Sequence, residues 1–134
     1  MKTLPLRLSP GDDLRAALSA AVAGAGVEAA FVVAGIGSLR EAQLRYAGRD
    51  APQHVVGDLE ILTLSGTLGA GGAHLHMSVS DADGRVLGGH VARGCLVRTT
   101  AEVLLALLED VRFTREPDAA TGYAELQVRP RGGD

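Results

Sequence analysis

Ala73-His74-Leu75-His76-Met77-Ser78-Val79-Ser80, then Asp81-Ala82-Asp83-Gly84, then Arg85-Val86-Leu87-Gly88-Gly89-His90-Val91-Ala92, is the stretch from which the fold is worked out. Its first eight residues alternate without a fault. Side chains along a strand point to opposite faces in turn, so Ala73, Leu75, Met77 and Val79 share one face and His74, His76, Ser78 and Ser80 the other. Two hairpin registers compete. A two-residue Asp83-Gly84 turn would set Met77 against His90 and Leu75 against Ala92, mixing the faces. A three-residue loop has Ala82 and Asp83 in a type I turn, Gly84 in the left-handed bulge position and Asp81 opposite Arg85. It sets Val79 against Leu87, Leu75 against Val91, Ser78 against Gly88 and His76 against His90. Because a one-residue slip turns every side chain over, binary pattern selects the three-residue loop. His76 and His90 then become direct cross-strand neighbours, with Cβ atoms about 5 Å apart and His74 on the diagonal at about 7 Å. Gly88 and Gly89 clear space beside His90 for another backbone or a ligand.

Three imidazoles on one face suit zinc first, and copper, iron or nickel less specifically. Three protein ligands with a fourth position open is the arrangement of catalytic zinc, whose bound water is acidic enough to serve as a nucleophile. The plainer alternatives are a solvated strand face, a hydrogen-bonded polar network or a subunit contact.

Outward from the hairpin, the chain of 134 residues is the size of one domain, and we expect a single domain over 1–134. The core must be aliphatic, because there is no Trp and only two Phe and two Tyr. A net charge of −3 and the lack of a Lys/Arg run argue against tracking a phosphate backbone. Cys95 is the only cysteine, so no internal disulfide forms. No apolar stretch approaches the ~20 residues needed to span a membrane, and the N-terminal residues lack a cleavage-site pattern. These features place the protein in the cytoplasm as an expectation.

The remaining elements follow from periodicity and punctuation. Thr3–Leu8 reads as a strand. Ser9 is the expected N-cap of a helix, with Pro10 in the first turn and Asp12 in a capping-box position. Leu14, Ala17, Leu18, Ala21, Val22 and Ala25 form its apolar stripe, and Gly24 and Gly26 end it. Glu28–Ala34 is a central strand, Ser38–Tyr46 a strand with one wet face, 47–57 a loop and Asp58–Leu68 a strand. Periodicity cannot decide whether Val103–Leu108 is strand or buried helix. Tyr123–Val128 is the last strand. The count gives an α+β fold, an antiparallel sheet with helix on one side.

Other residues have simpler roles open to them. On a regular strand Glu60 would share a side with Leu62 and Leu64, as a carboxylate behind a metal ligand or a general base; an exposed edge residue is the simpler role. Thr99, Thr100 and Glu102 cap a turn or line a pocket, with capping preferred. Gly35-Ile36-Gly37 is no dinucleotide fingerprint, because Arg40 stands where the third glycine belongs. Cys95 reads as a buried thiol despite Arg93 and Arg98. His54 reads as a surface loop residue, and Arg129-Pro130-Arg131-Gly132-Gly133 as a frayed terminus without an AT-hook core.

Gly35-Ile36-Gly37-Ser38-Leu39-Arg40-Glu41, Ser65-Gly66-Thr67-Leu68, His74-Leu75-His76-Met77-Ser78 and Gly88-Gly89-His90 together resemble the PPC domain, the plants-and-prokaryotes conserved domain. The resemblance runs from about Lys2 to Val128. It implies a mainly antiparallel sheet flanked by helices and assembled as a homotrimer, with Val103–Leu108 as strand. It implies a metal site at His74, His76 and His90 near a subunit boundary. Plant relatives join the domain to AT-hooks that contact DNA, and this chain has no hook. Three roles follow for comparison: a homotrimeric binding or regulatory module holding zinc or another divalent transition metal; a metal-dependent hydrolase or lyase using metal-bound water, helped by Glu60 or Ser78; and a DNA-binding regulator. The partners expected are further copies of the chain, with a small-molecule ligand or protein partner.

Overall fold

The computed structural model describes residues 1–132. The chain runs β1 (Lys2–Leu8), α1 (Leu14–Gly24), β2 (Ala29–Arg45), β3 (Gln53–Gly69), β4 (Gly72–Ser80), β5 (Val86–Val91), β6 (Leu96–Leu107), β7 (Val111–Pro117) and β8 (Ala124–Pro130). Strands β1-β6-β2-β3-β4-β5 form one antiparallel sheet, and β7-β8 form a separate hairpin. The end of β5 also pairs with β2, Arg45 with His90 and Leu44 with Val91; His90 keeps its β4 partner His76 while Val91 has left β4, so the sheet curls back on itself. This α+β architecture has a single short helix among the described residues where the family resemblance implied several.

The hairpin register is the one that binary pattern selects. His76 pairs with His90, Ser78 with Gly88 and Val79 with Leu87. Asp81 N–H donates to the Arg85 carbonyl at 2.9 Å, and Gly84 closes the loop at φ +77°. The Asp81 carboxylate also accepts from the Asp83 and Arg85 amides, both at 2.9 Å, which locks the turn from inside. The expected Leu75–Val91 pair is replaced by the transfer of Val91 to β2. Gly89 makes the transfer feasible, since a Cβ there would meet the Arg45 carbonyl oxygen at 2.7 Å.

The core is aliphatic, as composition requires. Leu14, Leu18 and Val22 of α1 bury against Leu39, Leu44, Leu59, Leu75, Val79, Val97 and Leu105 from the sheet. Phe113 of β7 is buried separately, edge-on to Phe31 at 5.6 Å, and joins the small hairpin to β2.

Several expectations change. The helix starts at Leu14 with Asp13 as its N-cap, not Ser9: Asp13 Oδ1 accepts from Ala16 N–H at 2.9 Å. Ser9–Asp12 is a reverse turn instead, because Gly11 takes φ +85° and gives its N–H to the Val97 carbonyl at 2.8 Å, which no helix permits. The two strands expected at Glu28–Ala34 and Ser38–Tyr46 are one, β2. Register shifts at Val32/Ala34, Gly37/Leu39 and Leu39/Glu41 bend it rather than break it. The loop expected over 47–57 ends early, since β3 begins at Gln53, and exposed His54 stands on that strand opposite Gln43. Val103–Leu107 is strand within β6, which also carries Thr99, Thr100 and Glu102; none of these three caps a turn. The strand β7 was not foreseen. The C-terminal residues are not frayed where they are described: β8 runs to Pro130, and Arg131 donates to the Gly26 carbonyl at 2.7 Å and pairs with Glu28 at 3.3 Å. Gly133 lies outside the described residues. No described helix is long and apolar enough to cross a membrane.

Candidate metal centre

The site is built by the hairpin ladder. His74 and His76 are two residues apart on β4 and so share a face, and the β4–β5 register brings His90 directly beside His76. Beneath them on β3, Thr67 pairs with His74 and Ser65 with His76. The rings meet as predicted. His76 lies edge-on to His74 at 4.9 Å and to His90 at 4.4 Å, while His74 and His90 stack at 5.2 Å. One ring nitrogen from each residue lies within 4.8 Å of the other two.

The residues fit a metal ion. Nitrogens bound tetrahedrally at the usual zinc distance sit about 3.4 Å apart, so small side-chain rotations bring the three together. His76 is exposed and His90 half-buried, leaving one side of the triad open. No hydrogen bond ties any of the three rings to another described group, so their nitrogens are available. Burial, and after it Arg115 and His76, holds the His74 pKa below the ordinary 6.5, against an upward pull from Glu125. Burial, and after it Arg45 and His76, does the same for His90. Both shifts favour the neutral imidazole, the form that binds a metal.

The other candidate residues fall apart from this centre or take structural roles. Glu60 is exposed and pairs with Ser38 and Ser80. Its partner Ser80 stands four residues along β4 from His76, about 13 Å at the rise of a strand. The expectation that Glu60 shares a side with Leu64 fails because a bulge at Leu62 shifts the strand's phase: Leu62 faces out and Leu64 in. Ser78 does share the histidine face, but its hydroxyl is hydrogen-bonded to Thr63 Oγ1 at 2.6 Å. Cys95 is fully buried, and its sulfur accepts from Gln43 N–H at 3.4 Å. Burial pushes its pKa up to about 11, as expected of an inert thiol. The arginines around the histidines were missed. Arg45 carries no motif, and Arg115 lies on the unforeseen strand.

A β-sheet domain with an open tri-histidine face is the class these observations define. The chain belongs to the Plants and Prokaryotes Conserved (PCC) domain family, the domain resembled in sequence, whose family profile matches residues 1–109. It is similar to a solved hypothetical protein from Salmonella, at 42% identity and a TM-score of 0.94, over 97% of this chain and 94% of that one. It is similar also to a solved metal-containing protein from Archaeoglobus fulgidus, at 27% identity and a TM-score of 0.81, over 95% of this chain and 94% of that one. All of the chain matches, at 46% identity, a bifunctional protein GlmU from Synechococcus, but it spans only 21% of that protein's length.

Proposed function

We propose that this chain is a metal-binding module in which His74, His76 and His90 hold a divalent transition metal, zinc before others. The observation that carries the proposal is the convergence of three imidazole nitrogens within 4.8 Å on two strands whose register is fixed by the ladder. The metal-containing Archaeoglobus relative supports it. A bound ion would supply Lewis acidity and an open coordination position. The chain's own residues favour binding over catalysis: Glu60 is remote and Ser78 is engaged with Thr63, so neither helper named for a hydrolase or lyase is free beside the triad. A module that also forms a fifth of a much longer bifunctional protein fits a binding or regulatory role.

The same proposal includes self-association as a homotrimer. Support comes from large apolar side chains exposed on two adjacent strands, Phe31, Val33 and Ile36 of β2 and Leu62 of β3. The DNA-binding reading has less support. The net charge is −3, and the terminal arginines are already paired, Arg129 with Glu116 and Arg131 with Glu28.

Elemental analysis of untagged protein as purified tests the metal, with His76→Ala as the paired sample. The expected result is near-stoichiometric metal in the parent and its loss in the variant. Protein that stays metal-free after incubation with zinc, copper, iron and nickel would refute the proposal. Light scattering coupled to size exclusion tests the trimer.

A further inference from the structure

Three arginines stand around the histidine triad, and none has a carboxylate partner among the described residues. Arg45 on β2 is the register partner of His90, and its Nη1 donates to the Arg49 carbonyl at 3.2 Å. Arg115 on β7 donates from Nη2 to Thr67 Oγ1 at 3.2 Å, and Thr67 is the cross-strand partner of His74. Arg15 on α1 donates from Nη1 to the Val91 carbonyl at 3.0 Å, one residue beyond His90. All three are half-buried. The ion pairs among the described residues use Lys2, His54, Arg98, Arg129 and Arg131 as their cations.

A guanidinium has five donors. Among the described residues each of these three side chains makes one hydrogen bond, and that bond goes to a neutral oxygen. Two of the charges stand at opposite ends of the triad: Arg45 is paired with His90, and Arg115 is bonded to Thr67, the partner of His74. Glu125 on β8 is engaged elsewhere, its Oε1 accepting from Thr121 Oγ1 at 3.0 Å. Half-buried like charges around one triad repel one another, and a divalent cation held by the triad adds to the repulsion. An oxyanion relieves it, since a planar fork of N–H donors matches carboxylate and phosphate oxygens.

We propose that Arg45, Arg115 and Arg15 form the rim of an oxyanion site over the histidine triad, and that its ligand is a small molecule bearing a carboxylate or phosphate. The inference deepens the metal-binding reading and rests on it only for the ion at the centre. Cations brought to one triad from three separate elements, β2, β7 and α1, fit a single anionic group, whereas a polymeric phosphate backbone calls for a stripe.

The test is calorimetry on the full chain, metal-free and zinc-loaded, with inorganic phosphate and citrate as probes and chloride as the control at matched ionic strength. Both probes should bind the zinc-loaded protein, and the metal-free protein more weakly. Arg45→Gln and Arg115→Gln should each weaken phosphate binding about tenfold, the scale of one charge-assisted hydrogen bond. Arg98→Gln, which removes a cation paired with Asp58 at 2.8 Å, should leave it unchanged. In chloride alone, the two rim variants should bind zinc more tightly than the parent, because a repelling charge is gone; loss of a merely structural arginine would not do this. If Arg45→Gln fails to fold, Arg45→Lys keeps the charge and loses the fork, and it should weaken phosphate while leaving zinc affinity near the parent's. Zinc failing to bind while phosphate binding stays arginine-dependent removes the metal reading and keeps the rim. Phosphate and citrate binding no tighter than chloride, rim variants binding phosphate like the parent, or rim variants changing only the oligomeric state would each overturn the rim.

Discussion

Replacing Gly66 with alanine removes no histidine, yet it should damage the site as much as deleting a ligand. Gly66 lies on β3 opposite Leu75, at φ +141°. A Cβ built there overlaps the backbone carbonyl oxygen of His74 and comes within 2.8 Å of Leu75 Cα. Both obstacles are backbone, so no side chain can swing aside; β4 itself must back away at His74. Backbone strain at that φ costs about 1–3 kcal/mol, and overpacking a well-filled interior about 1–3 more. The sum, roughly 2–6 kcal/mol, is a large part of the 5–15 kcal/mol that ordinarily holds a domain together. A shift of His74 on the order of 1 Å also exceeds the few tenths that a metal site tolerates. Gly72→Ala is the matched control: Gly72 has φ +111°, but nothing stands within 4 Å of its Cβ position, so only the backbone term applies. Urea unfolding at one fixed protein concentration gives the stabilities, and competition against a chromogenic chelator gives the zinc affinities. Gly66→Ala should unfold at markedly lower urea than Gly72→Ala and bind zinc at least tenfold more weakly. Equal midpoints and equal affinities would refute the reasoning, since they would mean that the strands separate there without cost.

Acidification should weaken the metal-free protein as the pH drops through about 6.5. His74 and His90 are held below their ordinary value, so the unfolded chain takes up protons first, stability falls, and the loss levels off below the folded pKa values; a denaturation midpoint that rises on going from pH 7.5 to pH 5.5 would contradict the shifts. Zinc affinity should fall on acidification too, because a protonated imidazole cannot bind the ion, and an affinity that rises with acid would contradict histidine ligation. Cys95, with its pKa near 11 and no exposed surface, should resist thiol reagents at pH 8 in the native protein and react fully in denaturant; rapid native labelling would show the thiol to be accessible. Asp13→Ala removes the cap bond to Ala16 and a 2.6 Å bond from Gly94 N–H, and should cost about 2–4 kcal/mol in chemical denaturation, with Asp13→Asn intermediate.

The hairpin register was legible as far as His76–His90 because three signals coincided: unbroken alternation, a turn whose chemistry allowed two registers, and a pattern that only one of them satisfied; the transfer of Val91 to β2 was not. Where such agreement was lacking, element existence was still legible for β1, β3 and β8, but boundaries and continuity were misread. Gly37 looks like a break in an apolar run. In the structure a Cβ there would meet the Thr100 carbonyl oxygen at 2.5 Å, so glycine is what lets β2 pass close to β6 without stopping. The bulge at Leu62 has no residue signature, and one extra residue was enough to put Glu60 on the wrong side. Val111–Pro117 buries only Phe113, and one buried position creates no period to detect.

These misreadings bear on function because they fall on the parts of the site that the sequence did not show. The ligand set depends on local register, which binary pattern encodes. The charge around it depends on long-range topology. Arg45 reaches His90 because β2 runs unbroken to its end and β5 transfers onto it, and Arg115 reaches the neighbour of His74 because β7 folds back over β3. Neither contact follows from spacing along the chain. A histidine triplet found by alternation alone therefore identifies what would hold a metal, while the chemistry of the ligand beside it is written in the pairings that close the sheet.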